Sequence, residues 1–252
     1  MITKEQVQEL TKKFSIDWYS VIREYFQIIF LSCLYEDKVS HEVFFKGGTA
    51  IRLLLNSFRF SEDLDFTTNL DSEDLEKLVS KTVKKINLIA QNVTFKRLKS
   101  IDQTFTGTLS FQSDEYKYPL NIHVDFSYRE KPLTQKESVL ETIFPVSPYP
   151  LVVHMSWEEI FAEKIRALMT RAKGRDLFDI WYLLSKDIEI DIKLVNKKME
   201  LYNKQIKKED IVNKIKSFKE EILINDLNKY LPSTHRKMTS KLKDMVLEKF
   251  NA

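Results

Sequence analysis

Glycine is nearly missing from this sequence: 252 residues hold four, where an average share of about 7% would give roughly seventeen. Two of the four, Gly47 and Gly48, are adjacent, so the backbone has a special requirement at one place. Cysteine is scarcer still. Cys33 alone excludes a disulfide scaffold, and a single thiol in an apolar segment fits a reducing compartment. Long apolar runs are also lacking: residues 16–35 are interrupted by Arg23 and Glu24, and the charge-free run 25–35 is too short to cross a bilayer. The opening MITKEQVQEL lacks the basic-then-apolar order of a signal peptide. The expectation is a soluble cytoplasmic protein with no membrane partner. Repeats, low-complexity tracts and Gly/Ser linkers are absent as well. What remains, 43% hydrophobic with 12% aromatic residues, is enough for a substantial core and excludes disorder over most of the chain.

Charge is not scarce but is unevenly placed. The total is +3, yet residues 1–185 carry 24 Lys and Arg against 26 Asp and Glu, while residues 186–252 carry 16 against 11. The basic end fits a polyanionic partner such as RNA; a solvated lysine-rich face is the plainer alternative.

Periodicity sets out the elements. Residues 4–35 repeat apolar positions every three to four residues, with Trp18, Ile22, Tyr25, Phe26 and Ile29 on one stripe, which predicts one or two helices. A short strand at 43–45 leads into Lys46-Gly47-Gly48-Thr49, and 50–56 (AIRLLLN) predicts a helix opening directly after the glycines. Residues 58–66 (FRFSEDLDF) read as a strand, 72–91 as an amphipathic helix with Ser72 as its N-cap. Residues 93–98 and 104–111 alternate like paired strands with Gly107 in a hairpin turn, and 120–127 (LNIHVDFS) is another strand. Pro145, Pro148 and Pro150 punctuate a long connection. Ser156 and Glu159 form an S-x-x-E capping box before a helical run. The layout is an α/β region over 1–150 and a helical region over 151–252.

The chemistry concentrates in three places. Asp63 and Asp65 are two apart, so on a strand both carboxylates leave one face while Leu64 and Phe66 enter the core. Asp125, on another strand between Val124 and Phe126, joins them if the strands are neighbours. Three converging carboxylates repel one another unless a divalent cation such as Mg2+ or Mn2+ neutralises them. His123 shares the face of Asp125 and reads as a neighbour rather than a ligand. Alone, an Asp-x-Asp is commonly surface acid, and the glycines upstream alter that reading. A Gly-Gly-Thr turn opening a helix offers unblocked N–H groups and the positive end of the dipole to phosphate, with the Thr49 hydroxyl as a further donor. Neither the P-loop spacing nor G-x-G-x-x-G is present. The third place is the helix after Ser156, where Lys164, Leu168, Arg171 and Arg175 step by four, three and four and line one stripe, with Gly174 as a break before Arg175. Asp176 and Asp179 follow, three apart. Exposed Lys and Arg on a helix are ordinarily solvent face, and Trp181 and Tyr182 read as core.

The stretch KGGTAIRLLLNSFRFSEDLDF resembles the signature of the AbiEii-type nucleotidyltransferases, toxins of type IV toxin–antitoxin and phage-defence systems in the DNA polymerase β-like superfamily. The matching elements are Gly47, Gly48, Thr49, Arg59, Ser61, Asp63, Leu64, Asp65 and Phe66. EEIFAEKIRALMTRAKGRDLFDIWYLL resembles the family's second block: a lysine, arginines, then Arg-Asp-x-x-Asp. Thr49 stands where the wider superfamily has serine, and the spacer to Asp63 is longer than in many superfamily members. The last sixty residues or so match nothing in the resemblance.

This resemblance implies an α+β fold, a polymerase β-like core of mixed sheet and flanking helices followed by a helical C-terminal region. It implies transfer of a nucleotide from an NTP with release of pyrophosphate. Asp63, Asp65 and Asp125 would hold the metal, and Gly47, Gly48, Thr49 and Ser61 the β- and γ-phosphates. Lys164, with Arg171, would neutralise phosphate charge, and either Asp176 or Asp179 would serve as the acid of the second block. The family implies an RNA acceptor, the tRNA 3′ end, a block of translation, and a cognate antitoxin. A protein or small-molecule hydroxyl as acceptor and a catalytically idle nucleotide- or partner-binding protein are the rival readings.

Overall fold

The computed structural model describes residues 1–98, 103–112 and 119–251, and the chain divides after Met155 into two units. Helices α1 (Lys4–Phe14) and α2 (Trp18–Tyr35) open the first unit. Strand β1 (Val43–Lys46) runs directly into α3 (Gly47–Leu54), and β2 (Leu64–Thr68) follows. After α4 (Ser72–Ile89) come β3 (Val93–Arg97), β4 (Thr104–Phe111), β5 (Leu120–Ser127), β6 (Gln135–Val139) and β7 (Leu151–Met155). The strands form one mixed sheet in the order β3-β4-β5-β2-β1-β7-β6. Pairs β2/β5 and β1/β7 are parallel and the remainder antiparallel. β7 belongs to this sheet, so the first unit extends past residue 150.

Period-two alternation builds the centre of the sheet. Phe45 pairs with Phe66, Phe66 with Phe126, and Phe126 with Phe105 across four adjacent strands. Their rings contact at centroid distances of 5.3, 4.7 and 6.0 Å, all buried. Each such pair adds about 0.5–1.5 kcal/mol beyond its area burial. The next residue on each strand points to the opposite face. There the paired positions are Lys46 with Asp65, Asp65 with Asp125, and Asp125 with Thr106. A phenylalanine row on one face thus backs a polar row on the other.

Several local expectations change. The helix after the glycines begins at Gly47 itself. Residues 58–63 form no strand, because Arg59 and Phe60 are both buried and break the alternation; Asp63 therefore lies in the loop just before β2. Asp71, not Ser72, caps α4, accepting from the N–H groups of Glu73 and Asp74. Gly107 sits inside β4, where a Cβ would lie 2.0 Å from the Phe95 ring; it is a close-approach glycine rather than a turn.

The second unit is helical: α5 (Trp157–Thr170), α6 (Gly174–Ser185), α7 (Ile192–Met199), α8 (Lys208–Lys216), α9 (Glu220–Leu227) and α10 (Leu242–Asn251), with a 3-10 stretch at Ser233–Lys241. Ser156 caps α5 by accepting from the Glu159 N–H. Leu177, Phe178, Ile180 and Leu183 of α6 are fully buried, and α5, α9 and α10 pack on that helix. Lys198 of α7 is buried against Glu159 of α5, at 2.6 Å. Among the described residues, no helix is long and apolar enough to cross a membrane.

Candidate active site

The polar row lies beside the start of α3, and the glycines explain how closely. Gly47 has φ +79°, and a Cβ on it would stand 2.3 Å from Asp65 Oδ2. At Gly48 a Cβ would stand 2.2 Å from the Arg59 guanidinium and 3.2 Å from Ser61 Oγ. The pair lets helix and loop close onto an acid and a buried cation, a use of glycine the sequence did not specify. Lys46, the N-cap residue, makes no side-chain cap hydrogen bond. Such an end suits an anion.

Thr49 is fully buried and its hydroxyl donates to the main-chain carbonyl of Asp63. That bond ties α3 to the acid loop, so Thr49 fixes where Asp63 sits. The same loop is held from α2, where buried Gln27 donates to the Ser61 carbonyl at 3.1 Å. Behind it, Arg52 of α3 makes a bidentate pair with buried Glu24 of α2 at 2.6 and 2.9 Å, donates to the Ser57 carbonyl, and stacks 4.0 Å from the centroid of Phe60. Arg23 and Glu24, which interrupt the apolar segment in sequence, are thus braces: Arg23 reaches Glu62 at 3.2 Å.

Asp65 and Asp125 are half-buried neighbours across parallel strands. Asp125 Oδ1 accepts from the Thr106 hydroxyl at 2.5 Å, and its Oδ2 lies 3.4 Å from His123 Nε2. Asp63, expected from the sequence to join Asp65 and Asp125, lies in the loop just before β2. Among the described residues no group of three metal-binding side chains is assembled; Asp125 is engaged by Thr106 and His123. The donor set still fits Mg2+. That ion takes hard oxygen ligands and is commonly held by one or two carboxylates together with substrate phosphates, without an all-protein cage. Asp65 and Asp125 offer two carboxylates side by side, facing away from the phenylalanine core.

In the second unit the expected cation stripe is broken. α5 ends at Thr170 with Arg171 as its C-cap, Ala172 has φ 51°, and α6 starts at Gly174, so Arg175 leaves the line of Lys164. Lys164 Nζ pairs with Asp179 Oδ2 at 2.7 Å, the two side chains being 11% and 1% exposed. Arg171 instead clamps fully buried Asp176 through two bonds of 2.9 and 2.7 Å. Arg175 donates to the Tyr230 hydroxyl at 3.1 Å. The two acids left open by the sequence thus have separate partners, Asp179 for Lys164 and Asp176 for Arg171. The helix breaks before Arg175 as expected, and Gly174, the first residue of α6, donates its N–H to Asp226 at 2.7 Å.

The mixed sheet with flanking helices is the polymerase β-like nucleotidyltransferase fold. The family model described as nucleotidyl transferase AbiEii toxin, type IV TA system, matches residues 29–250. The chain belongs to that family and is a nucleotidyltransferase toxin. Its fold is similar to that of MenT4, a nucleotidyltransferase toxin from Mycobacterium tuberculosis H37Rv: TM-score 0.67 at 17% identity, over 99% of this chain and 89% of that one. It is also similar to JHP933 from Helicobacter pylori, TM-score 0.55 at 19% identity over 94% and 95%, and to a structure described as a putative nucleotidyltransferase from H. pylori, TM-score 0.55 at 19% identity over 92% and 96%. No protein of curated function matches the chain.

Proposed function

We propose that the protein transfers a nucleotidyl group from an NTP to the 3′ end of an RNA, the tRNA acceptor end, and thereby blocks translation. The observation that carries the reading is the paired Asp65 and Asp125 beside the glycine-opened start of α3. The acceptor hydroxyl attacks the α-phosphorus and the bond to the bridging oxygen of pyrophosphate breaks. Pyrophosphate leaves with the electron pair. Asp65 and Asp125, joined by Asp63 from the loop before β2, would hold Mg2+ together with the substrate phosphates, and the ion would supply charge neutralisation for the in-line displacement. Asp125 is the group that receives the proton of the attacking hydroxyl. The N–H groups at Gly47 and Gly48, with Ser61, hold the β- and γ-phosphates, while Thr49 acts through Asp63. Lys164, oriented by Asp179, stabilises negative charge on the phosphates or leaving group. Arg171, clamped on Asp176, supports this block.

The second unit favours RNA over other acceptors. No acid lies between Asp226 and Asp244, a stretch holding Lys229, His235, Arg236, Lys237, Lys241 and Lys243. Arg236, Lys237 and Lys241 are exposed, and such cations contact phosphate backbone in a salt-dependent manner. A cognate antitoxin is the protein partner, and phage defence the setting.

The test is incubation of the purified protein with Mg2+, each labelled NTP in turn, and either total tRNA or whole-cell lysate. Label on tRNA that disappears in Asp65→Ala is the expected result. Label on protein or a small molecule moves the acceptor to the rival reading, and no label anywhere removes the catalytic proposal.

A further inference from the structure

We infer that Thr106 is a positioning residue for catalysis: from the neighbouring strand it holds the Asp125 carboxylate in the orientation the reaction uses. This inference rests on the reading of Asp125 given above. Thr106 stands directly opposite Asp125 in the antiparallel β4/β5 pair, and its hydroxyl lies 2.5 Å from Oδ1. The geometry is that of a charge-assisted hydrogen bond, shorter and stronger than a neutral one. A hydroxyl has one proton to give. With that proton on the carboxylate, Thr104 Oγ1, 3.3 Å from Thr106 Oγ1, serves as the donor to Thr106.

Three features separate this contact from an ordinary cross-strand pair. Thr106 is β-branched and held in a strand, so its χ1 is restricted and the donor is fixed in direction. The bond distinguishes the two carboxylate oxygens: Oδ1 is held by Thr106, and Oδ2 lies toward His123. Finally, Thr106, Asp125 and Asp65 lie in one register across three adjacent strands. The hydroxyl therefore braces the outer end of the acid pair from the side away from Asp65. Without it, Asp125 is free to turn about χ1 and χ2, and its spacing from Asp65 is no longer set.

The experiment compares Thr106→Val, which keeps shape and β-branching but removes the donor, with Thr106→Ser, which keeps the donor. Asp125→Ala serves as the benchmark for the underlying reading. Steady-state transfer gives kcat and KM for the NTP. Electron paramagnetic resonance gives the Mn2+ affinity with a non-hydrolysable triphosphate bound, and thermal unfolding reports on the sheet. Thr106→Val is expected to lower kcat about tenfold or more, as loss of a hydrogen bond to a charged group implies. It is also expected to weaken Mn2+ severalfold while leaving KM and Tm near wild type, and Thr106→Ser to recover most of the loss. If Thr106→Val matches wild type in kcat and Mn2+ affinity while Asp125→Ala is inactive, the inference fails and the reading of Asp125 stands. Equal losses in the Ser and Val variants overturn it too, because shape and not the donor then matters. An Asp125→Ala enzyme of wild-type activity removes both.

Discussion

Replacing Gly47 by alanine tests the central geometric claim, that this glycine exists to let α3 close onto Asp65. The cost has two parts. A non-glycine residue at φ +79° loses about 1–2 kcal/mol to left-handed backbone. The added Cβ would sit 2.3 Å from Asp65 Oδ2 and 3.0 Å from its Cβ, and relieving such overlap costs about 1–3 kcal/mol. The sum, about 2–5 kcal/mol, is a large share of a domain stability of ~5–15 kcal/mol. Urea unfolding of four proteins separates the parts: wild type, Gly47→Ala, Asp65→Ala and the double variant. With Asp65 trimmed, the oxygen that collides is gone, so Gly47→Ala should then cost little more than its backbone part. The reasoning is refuted if Gly47→Ala unfolds within 0.5 kcal/mol of wild type, or if its cost is the same in both backgrounds. Gly48→Ala is the internal control. It carries no positive φ, and its clash is with the buried Arg59 guanidinium and Ser61, so trimming Asp65 should leave its cost unchanged.

Other outcomes follow from the buried polar groups. Removing one partner of the Lys164–Asp179 pair, as in Lys164→Met, should destabilise by about 3–5 kcal/mol because the buried carboxylate loses its lysine, and Lys164→Met/Asp179→Leu should regain much of that in the same unfolding assay. Burial holds the His154 imidazole below its ordinary value of 6.5, with Nδ1 on the Met155 carbonyl and Nε2 at Ser138. The unfolded chain therefore binds this proton more readily than the native one. The contribution to stability is full above about pH 6.5 and falls as the pH drops toward the native value. Unfolding midpoints measured at pH 7.5 and 5.5 should accordingly differ less in His154→Gln than in wild type. Cys33 is buried on α2, and burial pushes its thiol up to about 11. Ellman's reagent should react with it only as the protein unfolds; rapid reaction of the native protein at pH 8 would contradict that placement.

Local signals carried much of this structure. The apolar spacing of 4–35 became α1 and α2, the alternation of LNIHVDFS became β5, and Ser156 starts α5 as a capping residue should. Leu64 and Phe66 are buried behind Asp65 as the alternation required. What was illegible depended on partners distant in the chain. β6 reads QKESV and is mostly exposed, so nothing in its own pattern marks a strand until β7 pairs with it. Thr106 has no motif around it and acquires a role only through its register with Asp125. Gly107 yields space to Phe95 on a neighbouring strand, a demand no turn rule conveys. The helical stripe through Lys164 and Arg171 stops short of Arg175 because Ala172 turns left-handed, a conformation alanine does not signal. Asp226, which caps α6 at Gly174, is 52 residues away.

The alternation that sets Phe45, Phe66, Phe126 and Phe105 behind Lys46, Asp65, Asp125 and Thr106 ties the toxin's activity to its folding. A strand slipped by one residue exchanges the faces. It would drive carboxylates into the aromatic layer, where they lack partners, and bring phenylalanines to the polar face of the sheet. Such a chain is not a weaker enzyme but an unfolded one. A single-residue insertion in β2 or β5 should therefore abolish activity as fully as the Asp65→Ala change proposed above.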